Sequence, residues 1–258
     1  MNQPKAILIT GASGGLGLEF AKFFAEKKCD LVLVARSTGK LLAMKNQFER
    51  EYGIKVYVCA VDLSVPDAAL DVFNYTLEND LTIDVLINNA GFGNAGDFAH
   101  CDWQRQQEMV QVNIVALMQL THCFLKGMIE RGDGQIMNLS SVASFCAGPD
   151  MSIYYASKAF VRSFSEAVAE EVKGTGVTVT ALCPGPTATG FEKAASMKTG
   201  STMFRNAVSA AEVALAGVRA MMKGKVLSYP GVFPKLLSFG TRIGPRSVTR
   251  KLAQKMNH

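Results

Sequence analysis

Two textures alternate along the chain: short runs that are apolar at nearly every position, and longer segments whose apolar residues recur every three or four places. The short runs, Ala6–Thr10, Leu31–Ala35, Val56–Val61, Val85–Asn88, Gln135–Ser140, Val177–Leu182 and Lys225–Ser228, read as strands. Several lack the polar alternation of a half-exposed strand, as parallel strands covered on both faces should. The periodic segments Leu16–Lys27, Lys40–Tyr52, Ala68–Glu78, Trp103–Glu130, Ser152–Lys173 and Ala210–Met222 predict helices between them. This alternation predicts an α/β fold, a doubly wound parallel sheet of about seven strands with helices on both faces and right-handed crossovers. A closed α/β barrel shares the alternation but carries its phosphate site late in the chain. Here a glycine-rich turn follows the first strand, which favours the open sheet.

A chain of 258 residues can bury one large core, so a single domain over 1–258 is expected. No solenoid-period repeat or low-complexity segment interrupts it. Two stretches depart from the alternation. Residues 184–208 read as a long loop or substrate lid carrying Phe191, Met197, Met203 and Phe204. Residues 230–258 contain Pro230, Pro234 and Pro245 and end in a basic amphipathic segment.

Composition changes this picture little: 48% hydrophobic and 19% charged residues are ordinary for a soluble globular protein. No apolar run approaches the roughly 20 residues of a membrane span, and the first residues lack the basic and apolar regions of a signal peptide. Six scattered cysteines with no CxxC pair, and three histidines (His100, His122, His258) with no HxxxH spacing, fit reduced thiols in a cytoplasmic setting and no bound metal. The net charge of +5 resides in the basic extension 232–258, which holds six Lys/Arg and no acid. The remaining body is near neutral, so the charge does not call for a nucleic-acid partner.

The stretch ILITGASGGLG sets Gly11, Gly14, Gly15 and Gly17 between the first strand and the first helix. Glycines there allow a tight turn and a close approach of backbone to a pyrophosphate, which the helix N-terminus would meet. The spacing Thr10-Gly11-xxx-Gly15-x-Gly17 differs from GxGxxG and resembles the TGxxxGxG turn of the short-chain dehydrogenase/reductase family. Further matches follow in order: Asn88-Asn89-Ala90-Gly91, Asn113, Ser141, Tyr154-xxx-Lys158 and Pro184-Gly185. The resemblance spans residues 5 to 229 or so and implies a Rossmann-like oxidoreductase. It assigns the cofactor to Gly11, Ser13, Gly15, Leu16 and Gly17, to Asp62 and Leu63 on the adenine side, and to Asn89, Ala90 and Gly91. Pro184, Gly185, Thr187 and Thr189, together with Tyr154 and Lys158, would face the nicotinamide half. For Asn88 the simpler role is bonding to neighbours at a strand end.

Sites that choose NAD usually carry an acid at the end of the second strand. Here Ala35 occupies that place and Arg36 follows. A guanidinium pairs well with a 2′-phosphate, so NADP(H) is the expected cofactor.

Lys158 follows Tyr154 by four residues and Tyr155 by three, and both spacings bring side chains to one helical face. Four residues overshoot a full turn by about 40° and three fall about 60° short, so geometry nearly ties. The resemblance selects Tyr154, with Ser141 at the family's usual offset upstream. A nearby ammonium favours tyrosinate and lowers a phenol from its usual value near 10. Such a phenol serves as general acid/base, with Ser141 holding the substrate oxygen. Asn113 resembles the asparagine of a water-linked path to the lysine. Ser140 reads as a strand-end hydroxyl bonded to backbone, and Tyr155 as a packing residue or a subunit contact.

The expected reaction is reversible, NADPH-dependent reduction of a medium or bulky apolar ketone, such as a ketoacyl or steroid-like compound. Phe92, Phe145, Met151, Phe191, Met197, Met203 and Phe204 are candidates for its pocket. The alternative is an NADP(H)-binding regulatory or membrane-surface protein with little turnover. The ending lacks the Asp-Gly-Gly common in the family's tetramers, leaving homodimer and homotetramer both open. The row Val248, Leu252 and Met256 predicts a C-terminal helix docked on the body or a partner subunit, with contact to an anionic membrane as the second reading.

Overall fold

The structure, a computed structural model, describes residues 6–195 and 207–257. Its strands are β1 (Ala6–Thr10), β2 (Asp30–Ala35), β3 (Val56–Ala60), β4 (Val85–Asn88), β5 (Gly134–Leu139), β6 (Val177–Leu182), β7 (Thr187–Ala188), β8 (Val208–Ser209) and β9 (Leu227–Ser228). Seven of them form one sheet in the order β3-β2-β1-β4-β5-β6-β9, every pair parallel. β7 and β8 form a separate short parallel pair. The helices are α1 (Gly15–Glu26), α2 (Thr38–Tyr52), α3 (Ala68–Glu78), α4 (Trp103–Val110), α5 (Leu117–Arg131), α6 (Ser152–Glu171), α7 (Phe191–Ala194), α8 (Ala210–Met221), α9 (Val232–Ile243) and α10 (Arg246–Asn257).

Strand periodicity divides the core in two. Ile7, Ile9, Leu31 and Leu33 face α1, α2 and α8, meeting Phe20, Phe24, Phe48 and Val218. Leu8, Val32, Val34 and Leu86 face the other way, onto Val72, Leu120, Phe124 and Val168 from α3, α5 and α6. The chain winds outward from β1 to β3 and then returns to place β4 on the other side of β1. This reversal opens a crevice beyond the carboxyl ends of β1 and β4, where open α/β sheets bind ligands.

Three segments differ from expectation. The helix over Trp103–Glu130 is built as α4 and α5 joined by a π-helical turn at Gln111–Ala116. This path is long and apolar enough to cross a bilayer, yet Leu117, Leu120, Phe124 and Met128 are buried in the protein, against β4 and β5. It is a core helix. The last strand is shorter than expected, because only the two residues of β9 find partners on β6. The proline-rich extension holds a whole additional helix, α9: Pro234 sits in its first turn, where a missing N–H costs nothing.

Candidate active site

Thr10 ties the crevice together. Its hydroxyl accepts the backbone N–H groups of Asn89 at 3.0 Å and Ala90 at 2.9 Å. The Asn89 amide donates back to the carbonyls of Thr10, at 2.8 Å, and Gly11, at 3.2 Å. The turn after β1 is thereby fastened to the segment after β4. Gly11 and Gly15 have φ of 65° and 54°, in the left-handed region that favours glycine. Gly17 is required by space: a Cβ there would lie 2.2 Å from the Gly11 carbonyl oxygen. The helix thus packs directly on its own preceding turn.

A cavity of about 430 Å³ opens above this turn. Its lining includes Gly11, Ser13, Gly15 and Leu16 from the turn, with Asn89, Ala90 and Gly91 from the segment after β4. The same lining holds Ser141, Tyr154 and Lys158, and Pro184, Gly185, Thr187 and Thr189 from the segment after β6. That segment is pinned: the Val142 N–H donates to the Pro184 carbonyl at 2.9 Å. Thr189 packs so closely on Gly15 that a Cβ on that glycine would be 3.2 Å from the threonine Cβ. The hydroxyls of Thr187 and Thr189 donate to the carbonyls of Gly185, at 2.9 Å, and Thr187, at 3.4 Å.

Ser141 lies two residues past β5 and caps the short 3₁₀ turn Val142–Phe145, its hydroxyl accepting the Ala143 N–H at 3.1 Å. Its neighbour Ser140, also in the cavity lining, donates its hydroxyl to the Lys158 carbonyl at 2.8 Å. Burial pushes the Tyr154 phenol up to about 12, against a smaller downward pull from its hydrogen bond with the Ser141 hydroxyl. Burial likewise lowers the Lys158 amine to about 8. Lys158 Nζ donates to the Leu139 carbonyl at 2.8 Å and stands 5.9 Å from the Tyr154 ring centroid. In the cofactor-free fold the direction of the phenol's shift is thus opposite to the depression expected from the lysine, and desolvation is its main cause. Burial therefore favours the protonated phenol.

Asn113, fully buried, lies on the π turn and behind the cavity wall, outside its lining. Its amide accepts the Phe92 N–H at 3.1 Å and donates to the Phe92 carbonyl at 3.0 Å and the Ser157 hydroxyl at 3.1 Å. Ser157 in turn donates to the Tyr154 carbonyl at 2.7 Å. Asn113 Oδ1 and Lys158 Nζ both crowd Gly91, 2.9 Å and 3.3 Å from where its Cβ would be. The asparagine thus joins the loop after β4 to α6. Asn88 donates to Asn138 at 2.9 Å and Thr121 at 3.1 Å, a buried link between neighbouring elements.

Gly17, Arg36, Asp62 and Leu63 also lie outside the cavity lining. Leu63 is buried in the core beside Val34 and Cys59. Arg36 and Asp62 sit 3.8 Å apart, both largely exposed, a pairing worth at most about 1 kcal/mol. Burial raises the Asp62 carboxyl, but hydrogen bonds from Ser64 and the Arg36 charge outweigh it and leave the group below its usual range. Lys40, in the first turn of α2, lines the cavity and was missed by motif reasoning. Its one legible signal was a positive charge four residues after Arg36.

On the substrate side, Met151 and Phe191 line the cavity as expected, the Phe191 ring 5.2 Å from that of Tyr154. Phe92 and Phe145 lie outside the lining: Arg105 covers the first ring and Arg162 the second. Both side chains serve packing instead. Met197, Met203 and Phe204 lie outside the described residues. Tyr155 is buried, with its ring against Gly148 and a second edge on the cavity.

Comparison with known proteins gives this arrangement a family. Residues 5–200 match the family model described as short chain dehydrogenase. The chain is 35% identical over 181 residues to ketoacyl reductase HetN from Nostoc sp., covering 70% of this chain and 63% of that protein. It is 32% identical over 191 residues to the very-long-chain 3-oxoacyl-CoA reductase of Anas platyrhynchos, covering 72% of this chain and 61% of that one. The chain thus spans less than two thirds of the length of either relative. A short-chain dehydrogenase from Sphingobium yanoikuyae, solved in complex with NADPH, superposes with a TM-score of 0.83 at 30% identity, covering 92% of this chain and 93% of that one. The chain belongs to the short-chain dehydrogenase/reductase family of oxidoreductases.

Proposed function

We propose that this protein reduces a medium or bulky apolar ketone to an alcohol, using NADPH and with Tyr154 as proton donor. The observation that carries the reading is one cavity lined both by the glycine-rich turn and by Tyr154, which is hydrogen-bonded to Ser141. The turn fits a dinucleotide because its close-packed glycines bring its backbone and the start of α1 into the cavity lining. Gly11, Ser13, Gly15 and Leu16 would hold the pyrophosphate half, and Asn89, Ala90 and Gly91 the adenosine side. Pro184, Gly185, Thr187 and Thr189 would hold the nicotinamide end. Arg36 and Lys40 favour the 2′-phosphate, with no carboxylate at Ala35 to repel it. Bound NADPH supplies the hydride to the carbonyl carbon.

The chain's own groups manage the oxygen. Ser141 hydrogen-bonds the substrate oxygen and Tyr154 gives it the phenolic proton, leaving a tyrosinate that Lys158 steadies on the same face of α6. Met151 and Phe191 present apolar surface beside the phenol, which supports an apolar substrate, and the two named relatives act on ketoacyl compounds in the words of their names. Tyr154→Phe should lower kcat/KM for NADPH-dependent reduction of the best ketone in a panel by about 100-fold or more. Tyr155→Phe should stay within about tenfold of wild type. Equal turnover by Tyr154→Phe and wild type would sink the assignment.

A further inference from the structure

Helix α9 is turned inside out. Its buried positions are Pro234 and Ser238, while Val232 (73% exposed), Leu236 (65%), Phe239 (64%) and Ile243 (73%) form one row on the solvent side. Their spacing of four, three and four residues places them on a single helical face. In α10 the same inversion recurs: Ala253 is the buried contact, and Val248 and Leu252 point outward. Val248 and Leu252 therefore do not dock α10 on the body, the first of the two contacts expected for that row. The body is instead held by Ala253, against Met151 and Tyr155, and by Gln254 donating to Asp150 at 3.3 Å. Paired apolar rows of this kind are not what a soluble surface ordinarily presents.

We propose that α9 and α10 form a platform that seats on an anionic lipid surface. Charge chooses this occupant. Residues 232–258 carry Lys235, Arg242, Arg246, Arg250, Lys251 and Lys255 and no acid, while the rest of the chain is near neutral. A second copy meeting the same two helices about a two-fold axis would bring two segments that are basic and free of acid together. Anionic headgroups neutralise them while the apolar row enters the acyl boundary. The platform is also built into the walls of the cavity. Phe233 and Pro234 pack on Gly185, within 3.4 Å and 3.5 Å of where its Cβ would be, and Ala253 packs beside Met151 and Tyr155. A lipid-dissolved ketone would then meet the cavity where it leaves the bilayer.

The test is co-sedimentation of the full chain with vesicles of phosphatidylcholine and phosphatidylglycerol at about 3:1, against phosphatidylcholine alone. It needs no turnover, so its outcome is separate from that of the catalytic reading. The wild-type protein is expected to partition at least about tenfold more strongly onto the anionic vesicles, with binding weakened by high salt. Leu236→Asp/Phe239→Asp and, separately, Arg250→Glu/Lys251→Glu should each lose about tenfold or more while keeping the wild-type thermal unfolding midpoint. Absence of binding to anionic vesicles, or undiminished binding by the Leu236→Asp/Phe239→Asp variant, would overturn the proposal. So would a wild-type dimer that binds no vesicles and becomes monomeric in that variant on sedimentation equilibrium.

Discussion

Lys158→Met exchanges a buried cation for an apolar side chain of similar length. The amine falls from 10.5 to about 8 in the fold, and at about 1.4 kcal/mol per pKa unit its charged form costs about 3 kcal/mol more there than in water. Methionine removes that cost but also the bond from Nζ to the Leu139 carbonyl at 2.8 Å. A lost partner of this kind costs about 1–2 kcal/mol, less where water in the cavity can replace it. The cofactor-free variant should therefore be about 1–2 kcal/mol more stable at pH 7, raising the midpoint by about 2–8 °C for a chain of this size. The pH dependence has a definite sign. Below pH 8 the lysine is protonated in both states and the penalty is constant. Between about 8 and 10.5 the unfolded chain binds a proton that the folded one does not, so wild-type stability rises with pH. The advantage of the variant should shrink by about 2 kcal/mol between pH 8 and about pH 9.5 and vanish there. Calorimetry at the two pH values reads this directly. A variant that is less stable than wild type by more than about 1 kcal/mol at pH 7, with the same gap at pH 9.5, would refute the reasoning.

Gly17→Ala puts a methyl 2.2 Å from the Gly11 carbonyl oxygen; we expect NADPH binding, followed by fluorescence titration, to weaken at least about tenfold, with stability lowered by about 2 kcal/mol or more. An unchanged Kd would show that the turn can open without consequence. Arg36→Ala removes an exposed guanidinium whose pair with Asp62 is long, at 3.8 Å. The Kd for NADPH should rise about tenfold, the worth of a charged hydrogen bond, and that for NADH should barely move. Tighter binding of NADH than NADPH by the wild-type protein would contradict the assignment of the 2′-phosphate to this residue.

What was legible in the sequence follows from which physical signals are local. The bounds of β1, β4 and β6 match the apolar runs because glycine, asparagine or a proline-glycine turn ends each one. α9 was hidden by Pro234, which marks a break in a helix interior but is harmless in a first turn. The choice of Tyr154 over Tyr155 needed the resemblance, since helical angles left it open; the structure sets Tyr154 beside Ser141 and Tyr155 largely in the packing. The direction of the phenol's shift was not legible, because the burial that sets it belongs to the tertiary structure. Lys40 belonged to no motif and reaches the cavity only through the placement of α2. Phe92 and Phe145 show the converse, since an aromatic near a motif is covered by an arginine as readily as by a ligand.

The wide turn at Gln111–Ala116 acts as a phase break in one rod. A π turn takes up about one residue more than an α turn, and one residue is about 100° of rotation. The apolar stripe of α5 is thereby offset from that of α4, so the two halves address different neighbours: α4 meets α6, whereas α5 meets α3 and the sheet. A uniform helix would have to choose between the core and the wall of the cavity. With the break placed at Asn113, one continuous element keeps both alignments, and a single side-chain amide marks the point where the timing changes.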